Sequence, residues 1–398
     1  MAMILIGAIA AILLLWAAVL LAFYHPLRAR WQEPVFRYPI MILESDDWGA
    51  GPLEQAEALH GIATLLESFR EKSGRHPVMT LGVILEVPDT ARLVQQDLKS
   101  YLPRSLEEDC FSKLRSFIQT GMETGVFVPQ LHGQCHYWPQ ALVKAAEHDQ
   151  QVKAWLTGTE LPETERLPSH LQSRWVDASR LPSQPLMPDQ VRNGVIEETQ
   201  NFQKLFGMPP RVVVATTFVW SEVVEKAWKD CGVVVIITPG RRATCRDASG
   251  KPGCVDKFIL TGDRSQSGQI YLVRDTYFEP TLGHASQRLQ EGLLERTNQG
   301  RACLVEIHRF NFLQSLEASL NTLKSAITTC LDRFPDLRFM TPLELARAVQ
   351  EEDSQLLERA FRKRLKVWLA RLPEIPRFSR VAKLTGLAIP LHLMERLA

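Results

Sequence analysis

The chain has 398 residues and almost no net charge, +1 at pH 7, so the charge total gives no reason to expect a nucleic acid partner. Its seven cysteines are odd in number and contain no Cys-x-x-Cys pair, which excludes a zinc ribbon and a dense disulfide framework. A reducing compartment fits that scatter. No internal repeat is present, which removes repeat architectures. A disordered chain is excluded too, because 45% of the residues are hydrophobic and only 23% charged, enough for one enlarged domain or two ordinary ones.

The amino terminus also lacks something. No Lys or Arg precedes the uncharged apolar run Ala2 to Tyr24, and no small-x-small cleavage site closes it, which argues against a cleaved signal peptide. The run is long enough for the roughly twenty residues that a bilayer core demands, so a transmembrane helix is expected within residues 1–25. Arg28, Arg30 and Arg37 follow it directly. By the positive-inside rule, a single-pass protein of a bacterial inner membrane would then keep its catalytic domain in the cytosol, with the periplasm as the alternative.

What the rest of the chain does have is alternation. Short apolar runs predict strands at Pro39 to Leu43, Val78 to Leu85, Val126 to Gln130, Arg211 to Ala215, Val233 to Thr238, Gln269 to Val273, Ala302 to Ile307 and Leu337 to Met340. Amphipathic stretches between most of them predict helices, among them Leu53 to Lys72, Gln190 to Phe206 and Leu313 to Arg333. The expected fold is therefore α/β, a (β/α) barrel of seven or eight strands, complete or distorted, over residues 26–352.

Two stretches interrupt the pattern. Residues 138–189, rich in Pro and Trp, are too long for an ordinary connection and read as a disordered excursion or a lid. Gly240 to Ser267 could flank the same mouth. Residues 353–398 form a basic tail in which Leu357, Phe361, Leu365, Trp368 and Leu372 share one helical stripe. That stripe suits an anionic membrane surface, or equally an outer helix packed on the barrel. With the amino-terminal helix, it would hold the catalytic mouth near lipid.

Three polar elements fall where strands end, the place where barrel loops converge on one face. Asp46 and Asp47 follow the first strand, His132 and His136 the third, and His308 and Arg309 the seventh. Taken singly, an Asp pair reads as a turn or helix cap, and two His four apart as surface or core residues. Jointly, a carboxylate and two imidazoles could hold one divalent ion and leave the neighbouring carboxylate to act as a base.

The ordered set Ser-Asp-Asp-Trp-Gly, His-x-x-x-His and Leu-Val-Glu-Ile-His resembles the polysaccharide deacetylase superfamily over roughly residues 38–350. The resemblance implies a distorted (β/α) barrel and a carbohydrate deacetylase. It implies Asp46 as catalytic base, Asp47, His132 and His136 as metal ligands, and His308 as general acid. The family's Arg-Pro-Pro-Tyr is replaced here by Ala215-Thr216-Thr217-Phe218, so the arginine that orients the base is missing, and Arg309 is the expected substitute.

Zinc is the default ion for such a donor set, with cobalt or nickel also accommodated. Cys135, between the two histidines, is expected to point away. A backbone N–H near Phe218 is a candidate oxyanion donor, and Phe218, Trp220, Trp138 and Trp48 are candidates for stacking on sugar rings. The expected substrate is an acetylated amino sugar on a polysaccharide or a lipid-linked precursor. Two alternatives stay open: glycoside hydrolysis by carboxylates among Asp46, Asp47, Glu44, Glu306 and Asp275, and a non-catalytic membrane-tethered glycan-binding or scaffold protein.

Overall fold

A computed structural model describes residues 1–158 and 161–397. Residues 159 and 160 of the expected insertion, and residue 398 of the tail, lie outside the described residues. The apolar run forms helix α1 (Ala2–Ala22) and leads through α2 (Tyr24–Gln32) into the barrel.

Eight strands stand where the apolar runs predict them: β1 (Ile40–Gly49), β2 (Met79–Ile84), β3 (Phe127–Gly133), β4 (Val212–Val214), β5 (Val235–Thr238), β6 (Ile270–Val273), β7 (Cys303–His308) and β8 (Arg338–Phe339). The order β6-β5-β4-β3-β2-β1-β7 is parallel throughout, and β8 pairs with the start of β1. Among the described residues no ladder joins β6 to β7 directly. Instead the chain leaves β6, passes Arg274 and Asp275, and pairs at Thr276–Tyr277 with β7, so the curled sheet is closed by a bent strand. This is the distorted α/β barrel that the alternation implies. Helices between successive strands, including α3 (Gln55–Glu67), α4 (Ser112–Glu123), α5 (Pro188–Phe206), α6 (Glu222–Asp230), α7 (Ser286–Asn298) and α8 (Leu316–Arg333), bury their apolar faces on the outer side of the strands.

The strand period of two sorts the side chains into layers. Ile40 and Ile42 of β1 meet Val212, Val235, Ile270 and Leu304 in one buried interior cluster, whose floor is closed by Leu345 and Ala346 of helix α9 (Pro342–Gln350). The same parity continues upward as Glu44 and Asp46 on β1, and as Glu306 and His308 on β7. Register pairs Ile42 with Leu304, Glu44 with Glu306 and Asp46 with His308. An apolar floor therefore gives way to a polar ceiling along the same inward faces.

The insertion is ordered in its described part. It carries helices Pro139–Ala146 and Gln150–Thr157 and buries Leu142, Val152, Leu156, Leu167 and Leu171 in a small core of its own. Beside it, the stretch Gly240 to Ser267 makes an antiparallel hairpin, Arg241–Arg246 with Pro252–Phe258. A Cys245–Cys254 disulfide ties the hairpin together. Such bonds persist in oxidising compartments, which pulls against the reducing compartment that cysteine spacing alone suggested.

Candidate metal centre and catalytic site

Alternation by itself would send Asp46 and Asp47 to opposite faces of the sheet. A bulge prevents this. Between Ser45 and Trp48, β1 takes three steps while β2 takes two, and Asp47 sits at φ 74°, in the left-handed region. That conformation costs a non-glycine residue on the order of 1–3 kcal/mol, and it is what brings both carboxylates to one cavity. Trp48, returned to the outer face, is fully buried against Phe312 and bonds Ser45, so it packs the core.

Asp47 Oδ1 lies 3.3 Å from His132 Nε2 and 3.2 Å from His136 Nε2. These three side chains form a buried group whose ligand atoms all fall within 4.8 Å of one another. His132 Nδ1 stands 2.9 Å from the Val214 carbonyl, an acceptor that fixes the proton on Nδ1 and leaves the Nε2 lone pair facing Asp47. Acceptor then faces acceptor, an arrangement that calls for a cation between them. Ligands bonded at about 2.0–2.2 Å to one ion stand roughly 3.0–3.5 Å apart, so the spacing fits a divalent metal. Cys135 turns away, its Sγ bonded to the Tyr137 carbonyl at 3.0 Å.

Asp46 is held by Arg274. The guanidinium Nη2 donates to Asp46 Oδ2 at 2.6 Å, and its Nε stands 3.4 Å from Glu306. Burial pushes the Asp46 carboxyl up, but the neighbouring positive charge, that of Arg274 first, outweighs it and holds the group below the usual carboxylate range. Among the described residues its Oδ1 has no hydrogen-bond donor, and it looks toward Gly82, where an added Cβ would come within 2.4 Å. Beneath, Glu44 is fully buried, and that burial raises it to about 7.

His308 Nδ1 meets Glu279 Oε1 at 2.5 Å, and Glu279 also receives the His308 backbone N–H and the Asn311 amide. Burial favours the neutral ring, yet Glu279, Asp47 and Glu306 together raise the imidazole to about 10. A protonated ring anchored through Nδ1 has the form a general acid needs.

The substitute expected for the missing arginine is a different residue. Arg309 is fully buried but donates from Nε and Nη2 to Glu165 of the insertion, at 2.8 and 3.0 Å, and so ties the insertion to the mouth. Arg274 makes the contact to Asp46. The signal for it is in the sequence: Ile270, Leu272 and Arg274 share the parity of an inward face. Glu279 and Glu165 carry no such signal, since both come from irregular segments.

The cavity, about 320 Å³, is lined by Asp46, Asp47, His132, His136, Arg274, Glu306 and His308, with Phe218, Tyr277 and Phe310 as its aromatic wall. Of the aromatics expected to stack on sugars, only Phe218 reaches it. Trp220 is buried with its indole on Glu225, and Trp138 lines a separate groove. The Phe218 amide already donates to the Ala215 carbonyl at 2.9 Å, so it is spent as an oxyanion donor. Asp275 faces Arg296, outside this cavity.

No family model matches the chain, and no curated protein does. Among solved structures it is similar to a provisionally described polysaccharide deacetylase from Mycobacterium smegmatis, at 9% identity and a TM-score of 0.41, over 81% of this chain and 93% of that one. A family 4 acetyl xylan esterase from Clostridium thermocellum, in complex with a cobalt ion, matches at 11% identity and a TM-score of 0.38, over 77% and 89%. A family 4 carbohydrate esterase pseudoenzyme from Bacillus anthracis matches at 10% identity and a TM-score of 0.36, over 76% and 63%.

Proposed function

We propose that the protein is a metal-dependent hydrolase that removes an acetyl group from an amino sugar of a glycan. The observation that carries this reading is the meeting, in one cavity, of an Asp-His-His group with a carboxylate held by arginine and an imidazole held by a buried glutamate. The motif resemblance supplies the substrate class.

Asp47, His132 and His136 would hold the ion. Zinc, or cobalt or nickel in its place, supplies when bound a Lewis acid for the acyl carbonyl and lowers the pKa of a water toward neutrality. Asp46, oriented through Oδ2 by Arg274, accepts the proton of the attacking water on Oδ1. His308 gives a proton from Nε2 to the departing nitrogen while Glu279 keeps the ring in place. One water is consumed, the C–N bond breaks, and acetate and a free amine leave.

Glycoside hydrolysis requires a protonated carboxyl at the scissile bond. Asp46 is held low by the Arg274 charge, Asp47 faces the two histidines, Glu306 on the cavity wall stands 3.4 Å from Arg274 Nε, and Glu44, the carboxyl raised by burial, does not line the cavity. That distribution favours deacetylation.

The anchor reading of α1 stays part of this proposal, since Met3–Ala22 is long and apolar enough to cross a membrane. The Cys245–Cys254 bond favours the extracytoplasmic side over the cytosolic orientation inferred from Arg28, Arg30 and Arg37. Two of those arginines are partly neutralised, Arg30 by Glu33 and Glu374, and Arg37 by Glu358.

The test is acetate release from an N-acetylated chitooligosaccharide by the wild type, Asp46→Asn and His136→Ala. Acetate from the wild type alone supports the reading. Shortened sugar chains without acetate would establish the glycosidase, and an inert wild type free of metal would establish the scaffold.

A further inference from the structure

The tail folds into helices α10 (Phe361–Arg371), α11 (Phe378–Leu384) and α12 (Ala388–Leu397), and these do not pack on the barrel wall. They gather around the end of α1 and around α2. Phe378, Leu369, Leu372 and Leu387 share a buried cluster with Val19 and Leu27, and Phe23 packs edge-on against Phe378 at 5.3 Å. The Trp16 indole donates to the Thr385 carbonyl at 2.8 Å, and Trp368 donates to the Leu27 carbonyl at 2.9 Å.

We propose that α10 to α12 form a collar that enters the lipid leaflet around the foot of α1, with the barrel standing on it and its cavity opening away from the bilayer. Depth is the first argument. Trp16 lies six residues before the end of α1, which at 1.5 Å per residue is about 9 Å inside the apolar span. Thr385 is fixed at that level, and the span of 20 residues matches a hydrocarbon core of about 30 Å. The collar therefore reaches roughly as deep as interfacial helices do, about 5–10 Å.

Surface chemistry is the second argument. Next to Thr385, Leu384 is 78% exposed, and Ile389 and Leu393 are 76% and 58% exposed. Water is a poor solvent for such side chains, and acyl chains are a good one. Exposed Arg377, Arg380 and Lys383 flank them, as suits an anionic headgroup layer. Cleaving α1 as a signal sequence would uncover Phe378 and Leu387 as well, so the packing fits a retained anchor.

The mouth's direction follows from the strands. The collar is bolted to the ends where β1 and β7 begin: Arg371 donates to the carbonyls of Gln299, Glu33 and Pro34, and Arg301 bridges Glu33 to Glu374. All catalytic candidates sit at the opposite ends. From Ile40 to Asp46, β1 alone puts about 20 Å between them. In this placement the tail would hold the mouth away from lipid, the opposite of what amphipathicity alone suggests.

The test uses the full-length chain with exposed Cys110 replaced by serine, carrying a bimane fluorophore at Leu384→Cys, Ile389→Cys or Leu53→Cys. Leu53 follows β1 on the cavity side and is 45% exposed. Each protein is reconstituted in phosphatidylglycerol–phosphatidylethanolamine vesicles that contain a phospholipid bearing a nitroxide high on its acyl chain. Loss of emission at 384 and 389 with none at 53 is expected. Unquenched emission at 384 and 389, or quenching at 53 equal to theirs, overturns the proposal.

Discussion

The guanidinium of Arg274 donates to Asp46 across 2.6 Å, joining residues 228 positions apart at the closing seam of the barrel. Arg274→Met removes the charge that holds Asp46 down, so the carboxyl rises and the acid limb of kcat/KM moves to higher pH. Loss of orientation lowers the rate on the order of 10²-fold. Metal content stays at the wild-type level, and an unmoved acid limb would show that Arg274 does not set Asp46. Stability follows the same sign: a carboxyl depressed on folding contributes above its unfolded pKa, and that contribution is lost as pH falls through the folded value.

Glu279 acts on the other limb. Its carboxylate favours the His308 imidazolium, so Glu279→Gln lowers that pKa and moves the alkaline limb of kcat/KM to lower pH. A bound cation lowers the limb in both proteins, so the difference between them is the readout. Coincident alkaline limbs would take Glu279 out of the account.

How much of this was legible before folding depends on where each residue lies. The eight strands could be read from apolar runs, because all but the short β8 are buried on both faces over most of their length, and Asp46, His132 and His308 fall at strand ends by simple counting. Arg274 obeys the same parity, but its value lies in a contact across the barrel that no local pattern records. Asp47 reaches the cavity only through a bulge, and Glu279 and Glu165 arrive from loops whose course tertiary packing decides. The insertion read as irregular because its two helices are only 8 residues each and pack on a small core of their own.

Gly82 leaves the room that Asp46 Oδ1 occupies, since an alanine Cβ would stand 2.4 Å from that oxygen. Gly82→Ala displaces the base by steric contact alone. The expected result is a fall in kcat with metal content close to wild type and a melting temperature lowered by overpacking, which costs about 1–3 kcal/mol. Unchanged turnover would place the proton acceptor elsewhere.

Arg309 and Glu165 are a structural clamp in this account. Glu165→Gln leaves a buried guanidinium without its charge partner, a loss on the order of 2–3 kcal/mol, discounted because Glu165 keeps 19% exposure. Limited proteolysis should then cut the insertion faster while the protein retains its metal. Equal cutting rates would argue against the clamp.

A cavity that opens away from the bilayer selects among glycans. Proteoliposomes should release acetate from long N-acetylated chains and leave a short lipid-linked sugar in the same membrane untouched. The reverse preference would show that the mouth reaches lipid.

The most direct measurement is metal stoichiometry of the purified chain combined with X-ray absorption at the metal edge. One ion per chain, bound by two imidazole nitrogens and a carboxylate oxygen and lost in Asp47→Ala, His132→Ala and His136→Ala but kept in Asp46→Asn, is the predicted result. A metal-free wild type, or an ion that survives loss of Asp47, would contradict the account.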